Sequence, residues 1–280
     1  MYRIDAHQHY WDPAHGGGGW LAQEDAILRR AYGPADLRPE LARHGVGRTV
    51  LIQAAPSEEE TRRLLALAEA TPSVAAVVGR VDFADRSWRK HLERLAEHPK
   101  FVGVRPVGAL GGDHGWMLRD DVQWGFRALV EMDLTLDAFG VPEQLENFRR
   151  LLAKYPDMRV VIDHCMKPPI RSLAERPELF REWAGGMRRI AGESGAFCKL
   201  SGLVTEAAEG WCADDLRPVA ETVLEGFGVE RVMWGSDWPF CRLRASYDEW
   251  MAAALELTGG LRIAERQEIF AGTARRFYRL

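Results

Sequence analysis

The residues best suited to chemistry are His7 and His9, separated only by Gln8. Side chains alternate along a strand, so the two imidazoles of an extended H-x-H segment share one face and can converge on one point. Together they can bind a divalent metal or hydrogen-bond a substrate carboxylate. The triplet is a weak motif by itself, and its weight comes from its company. Asp163-His164 and Gly235-Ser236-Asp237-Trp238-Pro239 each follow a short apolar run, in the same relative position as the histidine pair. Asp237, after an apolar strand and ahead of a proline that stops regular structure, is placed to activate water. Its plainer alternative is a helix N-cap or turn residue, since Asp does both jobs often; for His164 the alternative is a structural histidine. Arg105 follows Phe101-Val102-Gly103-Val104 and offers a planar fork for a carboxylate or a carbonyl oxygen. Asp137 and Lys199 also close apolar runs, but they can simply pair with each other or with neighbouring charges.

These residues converge only if the elements carrying them do. Eight short β-branched or apolar runs, at 3–6, 49–53, 75–81, 101–105, 134–138, 159–163, 197–200 and 231–234, are each followed by a loop and an amphipathic stretch. That alternation predicts a parallel α/β fold, and eight strands are the number for a closed (β/α)8 TIM barrel. Ser57 with Glu60 reads as a capping box opening a helix with Leu64, Leu65 and Ala68 on its apolar face. Further helices are expected over 88–97, 122–131, 143–155, 178–193, 215–225, 247–257 and 264–278. An open doubly wound sheet is disfavoured, because no glycine-rich phosphate loop follows the first strand. The segment 10–34, rich in Gly and Trp, fits no helix and reads as a loop over the strand ends. No linker or repeat divides the chain, so residues 1–280 are expected to form a single domain.

Composition excludes other classes. With 37 basic and 41 acidic residues mixed along the chain, the net charge of −4 provides no field for a phosphate backbone, so nucleic acid is not an expected partner. No apolar run approaches the roughly 18 residues of a membrane span, and no signal-peptide pattern opens the sequence. Four cysteines, Cys165, Cys198, Cys212 and Cys241, form no C-x-x-C pair, which suits a reducing cytoplasm. Arg262, Arg266, Arg275, Arg276 and Arg279 cluster on the last helical stretch and read as a solvated face.

His7-Gln8-His9-Tyr10-Trp11-Asp12-Pro13, Gln53-Ala54-Ala55-Pro56, Gly103-Val104-Arg105, Asp163-His164, Lys199-Leu200-Ser201-Gly202 and Gly235-Ser236-Asp237-Trp238-Pro239 resemble, in order, the sugar-lactonase branch of the amidohydrolase superfamily. Within it the chain is similar to the L-fuconolactone hydrolases. The resemblance implies hydrolysis of a sugar-acid lactone by water that Asp237 activates, with His7, His9 and His164 as metal ligands or carbonyl-polarising groups; His164 and Arg105 are the further catalytic candidates, and His7 and His9 the candidates for binding substrate. It also implies that His7, His9, His164 and Asp237 would hold one divalent, zinc-like ion if any is bound. Metal-rich branches add a bridging group from strand four and a histidine from strand five, where this chain has Arg105 and Asp137; a two-metal site is therefore not expected, and the branch includes members that work without metal. Trp11, Trp20, Trp116 and Trp238 fall in the expected mouth loops, where aromatic faces suit a sugar's C–H faces, the alternative being that they pack loops onto the barrel. The rivals are a lactonase for an aromatic-catabolism lactone, a metal-dependent decarboxylase, which would want a histidine in place of Asp137, and a non-catalytic barrel, which would not need His7, His9 and Asp237 together.

Overall fold

Short apolar strands separated by helices can satisfy their backbone groups by pairing in parallel, and eight such strands can curl until the last meets the first. In the computed structural model, which describes residues 2–17, 21, 25–55, 57–107 and 112–280, the strands do so. They are β1 (Arg3–Gln8), β2 (Val46–Ile52), β3 (Val74–Gly79), β4 (Phe101–Val104), β5 (Thr135–Ala138), β6 (Val160–Ile162), β7 (Phe197–Leu200) and β8 (Val232–Trp234). All pair in parallel, in chain order. The ring is drawn together beyond β8, where Asp237 N–H donates to the His7 carbonyl (2.8 Å) and His9 N–H to the Trp238 carbonyl (2.7 Å). The result is the nearly closed TIM barrel expected from the eight runs.

Around it lie α1 (Pro34–Arg43), α2 (Glu58–Ala70), α3 (Trp88–Ala96), α4 (Gln123–Glu131), α5 (Leu145–Lys154), α6 (Pro177–Glu193), α7 (Ala213–Phe227) and α8 (Tyr247–Leu257). The C-terminal α9 runs through Ile263–Gln267, a π turn at Glu268–Gly272 and Thr273–Tyr278. The sequence pattern did not predict α1: Pro39 lies inside it, and only Leu37 and Leu41 are buried, a thin signal beside a residue that normally breaks helices. The expected capping box at α2 is half made. Ser57 accepts from Glu60 N–H (3.1 Å), but the Glu60 carboxylate turns to Arg63 at 2.7 Å instead of returning to Ser57.

The helices bury their apolar faces on the outside of the sheet, while Ile4, Ala6, Val50, Ile52, Ala76, Val78, Val161 and Met233 fill the inside. Phe277 and Tyr278 of α9 join this inner cluster. The long loop after β1 is pinned at its base, Trp11 and Tyr32 exchanging backbone hydrogen bonds of 3.1 and 2.9 Å. The C-terminal arginines are laced to the surface: Arg262 pairs with Glu265, Arg276 with Glu268 and Arg279 with Asp133. Among the described residues no helix is long and apolar enough to cross a membrane.

Candidate active site

At the carboxyl ends of the strands, β1 delivers His7 and leads on to His9. Asp5 stands opposite Thr49 and Gln8 opposite Leu51, so β1 holds one residue more than β2 over that stretch. Such bulges re-aim side chains beside functional sites. Asp5 accepts from Tyr247 of α8, outside the sheet, at 3.2 Å, whereas His7, two residues on, meets Lys199 of β7 and Asp163 within the barrel.

Past the bulge His7 Nε2 and His9 Nε2 lie 3.2 Å apart. Asp237 Oδ1 is 3.4 Å from His9 Nε2 and 3.7 Å from both His7 Nε2 and His164 Nε2. The turn-capping task that Asp237 could have had falls to Ser236, whose Oγ accepts from Trp238 N–H at 3.0 Å. Asp237 Oδ1 is buried and has no hydrogen-bond partner among the described residues.

His164 opens a run of four left-handed residues, 164–167, with φ of 51, 50, 58 and 49°. For residues with a Cβ this conformation costs about 1–2 kcal/mol each, and such strain collects at functional sites. The run is held by Trp183 Nε1 donating to the Cys165 carbonyl (2.8 Å) and by His164 Nδ1 against Ser201 Oγ (2.9 Å). Gly202, at φ +64°, must stay small, since a Cβ there would meet His164 Nδ1 at 2.5 Å.

Burial governs the charges. It holds His7 and His9 well below the ordinary histidine range, helped by Lys199 beside His7 and Arg105 near His9, and brings His164 down to about 4. Neutral His9 has one assignment: Nδ1 is 2.7 Å from the Ile52 carbonyl and must carry the proton, so Nε2 presents a lone pair. His9 is then not the carbonyl-polarising donor that the resemblance implied. Burial raises the Asp237 carboxyl, with His164 and Arg105 partly offsetting it. Burial pushes Asp163 upward too, but Lys199 and His7 outweigh it and hold the carboxyl well below the carboxylate range.

His9, Arg105, His164 and Asp237 line a cavity of about 320 Å³, and His7 sits behind them, fully buried. Arg105 donates from Nη2 to the Gln53 carbonyl at 2.7 Å and, among the described residues, has no carboxylate within ion-pair distance. Sequence reasoning missed other parts of the wall: Arg80, Phe139, Phe240, and Lys167 paired with Glu206 at 2.7 Å. Arg80 had left a signal, a cation inside the otherwise apolar run that became β3. Trp11 and Trp238, expected against the substrate, are instead buried behind the wall: Trp11 packs on Tyr32 and Phe240, Trp238 on Tyr10 and Tyr32. Their bulk anchors the loop to the barrel, and the cavity's aromatic faces are Phe139 and Phe240. Trp116 is buried against Phe126, and Trp20 lies outside the described residues. A cavity of about 550 Å³ at the opposite end, lined by Arg48, Lys100, Arg159 and others, gathers none of His7, His9, Arg105, His164 and Asp237.

Asp137 and Lys199 pair with each other at 2.5 Å beneath the cavity, and Tyr278 of α9 donates to Asp137 at 2.7 Å. For a metal, His7, His9 and Asp237 offer ligand atoms within 4.8 Å of one another. The unpartnered Asp237 oxygen suits such an ion.

A family model described as amidohydrolase matches residues 4–280. The chain is 39% identical to an L-fucono-1,5-lactonase of Burkholderia ambifaria over 283 residues, covering 100% of this chain and 96% of that protein. It is 34% identical to an L-fucono-1,5-lactonase of Burkholderia multivorans, covering 99% and 96%. Crystal structures of a B. multivorans amidohydrolase superpose over 100% of both chains, with bound HEPES (TM-score 0.92, 32% identity) and with bound zinc (TM-score 0.89, 33% identity).

Proposed function

The chain belongs to the amidohydrolase family and hydrolyses the ester bond of a sugar lactone, and we propose that Asp237 is the base that activates water for this reaction. The observation that carries the assignment is the Asp237 Oδ1 atom, buried and without a hydrogen-bond partner among the described residues, on a residue that lines the cavity with His9, His164 and Arg105. Burial lifts its basicity above that of a free carboxylate near pKa 4. Water attacks the lactone carbonyl carbon while its proton passes to Asp237. The oxyanion is met by the Arg105 guanidinium and by His164, provided Ser201 donates to Nδ1 and leaves the proton on Nε2. When the ring C–O bond breaks, Asp237 returns the proton to the departing alkoxide, which restores the carboxylate and releases the open-chain acid.

The substrate we propose is an L-fucono-1,5-lactone-like aldonolactone, matching the names of the two lactonases. A cavity of about 320 Å³ suits one sugar ring, with Phe139 and Phe240 for its C–H faces and Arg80, Lys167 and Glu206 for its hydroxyls. One divalent ion fits His7, His9 and Asp237, with His164 alongside. When bound it would supply Lewis-acid stabilisation of the developing negative charge. The decarboxylase alternative wants a histidine where this chain has Asp137, and that carboxylate lies under the floor, paired with Lys199. The free cysteines favour a cytoplasmic setting.

Asp237→Asn keeps size and removes the basic oxygen. With L-fucono-1,5-lactone in a pH-indicator assay, kcat is expected to fall by about 10²–10⁴-fold, with KM changed far less and the melting curve intact. Near-wild-type kcat in a folded variant overturns the assignment and makes His164 the next candidate base.

A further inference from the structure

Lys199 is fully buried beneath the cavity, and the reaction above gives it no step. Its ammonium lies 2.5 Å from Asp137 Oδ2, 2.9 Å from Asp163 Oδ1 and 3.1 Å from His7 Nδ1. An ammonium has donors only. The His7 atom it meets must therefore be an acceptor, and the proton of the neutral ring must sit on Nε2. The opposite tautomer has a partner too: Asp163 Oδ1 lies 3.4 Å from the same Nδ1, and a carboxylate there would take an Nδ1–H and leave Nε2 bare. Two groups compete for one nitrogen. The ammonium is nearer and aligned for a hydrogen bond, whereas among the described residues neither Asp163 oxygen has an aligned donor.

The other side of the ring agrees. His9 Nε2 presents a lone pair, because His9 Nδ1 bonds the Ile52 carbonyl. His7 Nε2 faces it at 3.2 Å. A proton on His7 Nε2 has its acceptor in place; without that proton two lone pairs confront each other and need a cation between them. We propose that Lys199 is a positioning residue: by donating to His7 Nδ1 it fixes His7 as an Nε2–H donor to His9 and thereby holds down the affinity of the His7–His9–Asp237 group for a divalent ion. Without the ammonium, Asp163 inherits Nδ1, the carboxylate–histidine arrangement that strengthens a metal ligand.

Two measurements test this, and neither uses a substrate, so their outcome is independent of the role of Asp237. In chelator-treated wild-type protein labelled with ¹⁵N-histidine, two-bond ¹H–¹⁵N spectra report each ring's tautomer, the His7 signals being identified by their loss in His7→Gln. Expected is an unprotonated Nδ1 and a protonated Nε2; the reverse overturns the proposal. Zinc affinity, read by competition with a chromophoric chelator, is expected to tighten about 10–100-fold in Lys199→Met. Lys167→Met, which removes a cation near His164 and Asp237 without touching His7, is expected to change it by less than about threefold, judged against that second-shell effect. Equal tightening in both reduces the effect to net charge and overturns the proposal, as does no tightening in Lys199→Met. Should Lys199→Met fail to fold, the double variant Asp137→Asn/Lys199→Met removes one charge of each sign and carries the same expectation.

Discussion

Asp237 and Asp163 are buried carboxylates on either side of His7, and their surroundings send them in opposite directions. Burial dominates at Asp237 and raises its carboxyl, while Lys199 and His7 keep Asp163 ionised. One is left able to take a proton and the other is committed to structure, a division set by environment and not by residue type. Arg105 belongs with Asp237. Its guanidinium has no carboxylate within ion-pair distance among the described residues, so its charge is available to an oxyanion. Arg105→Met is expected to lower kcat by about 10²–10³-fold, the usual weight of one oxyanion donor. Steady-state kinetics beside a melting curve check it; unchanged kcat would return the oxyanion to His164 alone.

At the scale of elements, the seam between β1 and β8 sets the site. Asp5 stitches it, accepting from Ser236 N–H (2.8 Å), His7 N–H (3.2 Å) and Tyr247 Oη (3.2 Å). Burial outweighs these bonds and raises Asp5 from 3.8 to about 6. A carboxyl with a raised folded-state pKa contributes stability that is full below its unfolded value and is lost as pH rises through its folded value. The stability of wild type relative to Asp5→Asn is therefore expected to fall between about pH 4 and pH 7. Urea midpoints of both proteins across that range measure it, and a flat difference would show that Asp5 does not titrate in the folded seam. The same seam needs Gly235, where a Cβ would stand 2.7 Å from His7 Cβ.

For the whole molecule, closure of the barrel brings together side chains from the ends of β1, β4, β6 and β8, which an open sheet would spread along one edge. Closure also limits metal content. Two ions need a bridging group and about six protein ligands; β4 ends in Arg105, and Asp137 is occupied by Lys199 and Tyr278. Protein dialysed against zinc is expected to retain no more than one equivalent by elemental analysis. Two tightly held equivalents would mean that Asp163 leaves Lys199 to serve as a ligand.

The eight runs of β-branched and apolar residues determined where the strands lie, because a buried parallel strand needs apolar side chains on both faces and that demand is local. His7, His9, Arg105, His164 and Asp237 were legible for the same reason, as polar residues ending apolar runs. Local pattern did not reach α1, whose two buried leucines flank a proline. Nor did it reach the bulge that turns His7 inward, the burial of Trp11 and Trp238, or Phe139 and Phe240 as the cavity's aromatic faces. Each depends on which distant surface a side chain meets. Lys199 shows the limit most sharply: its sequence neighbours say that a cation ends an apolar strand, and a pairing with Asp137 stood only as one alternative beside other neighbouring charges. Its partners, Asp137, Asp163 and His7, come from three other strand ends. Charge, tautomer and affinity are properties of such contacts, and the contacts exist only once the barrel has closed.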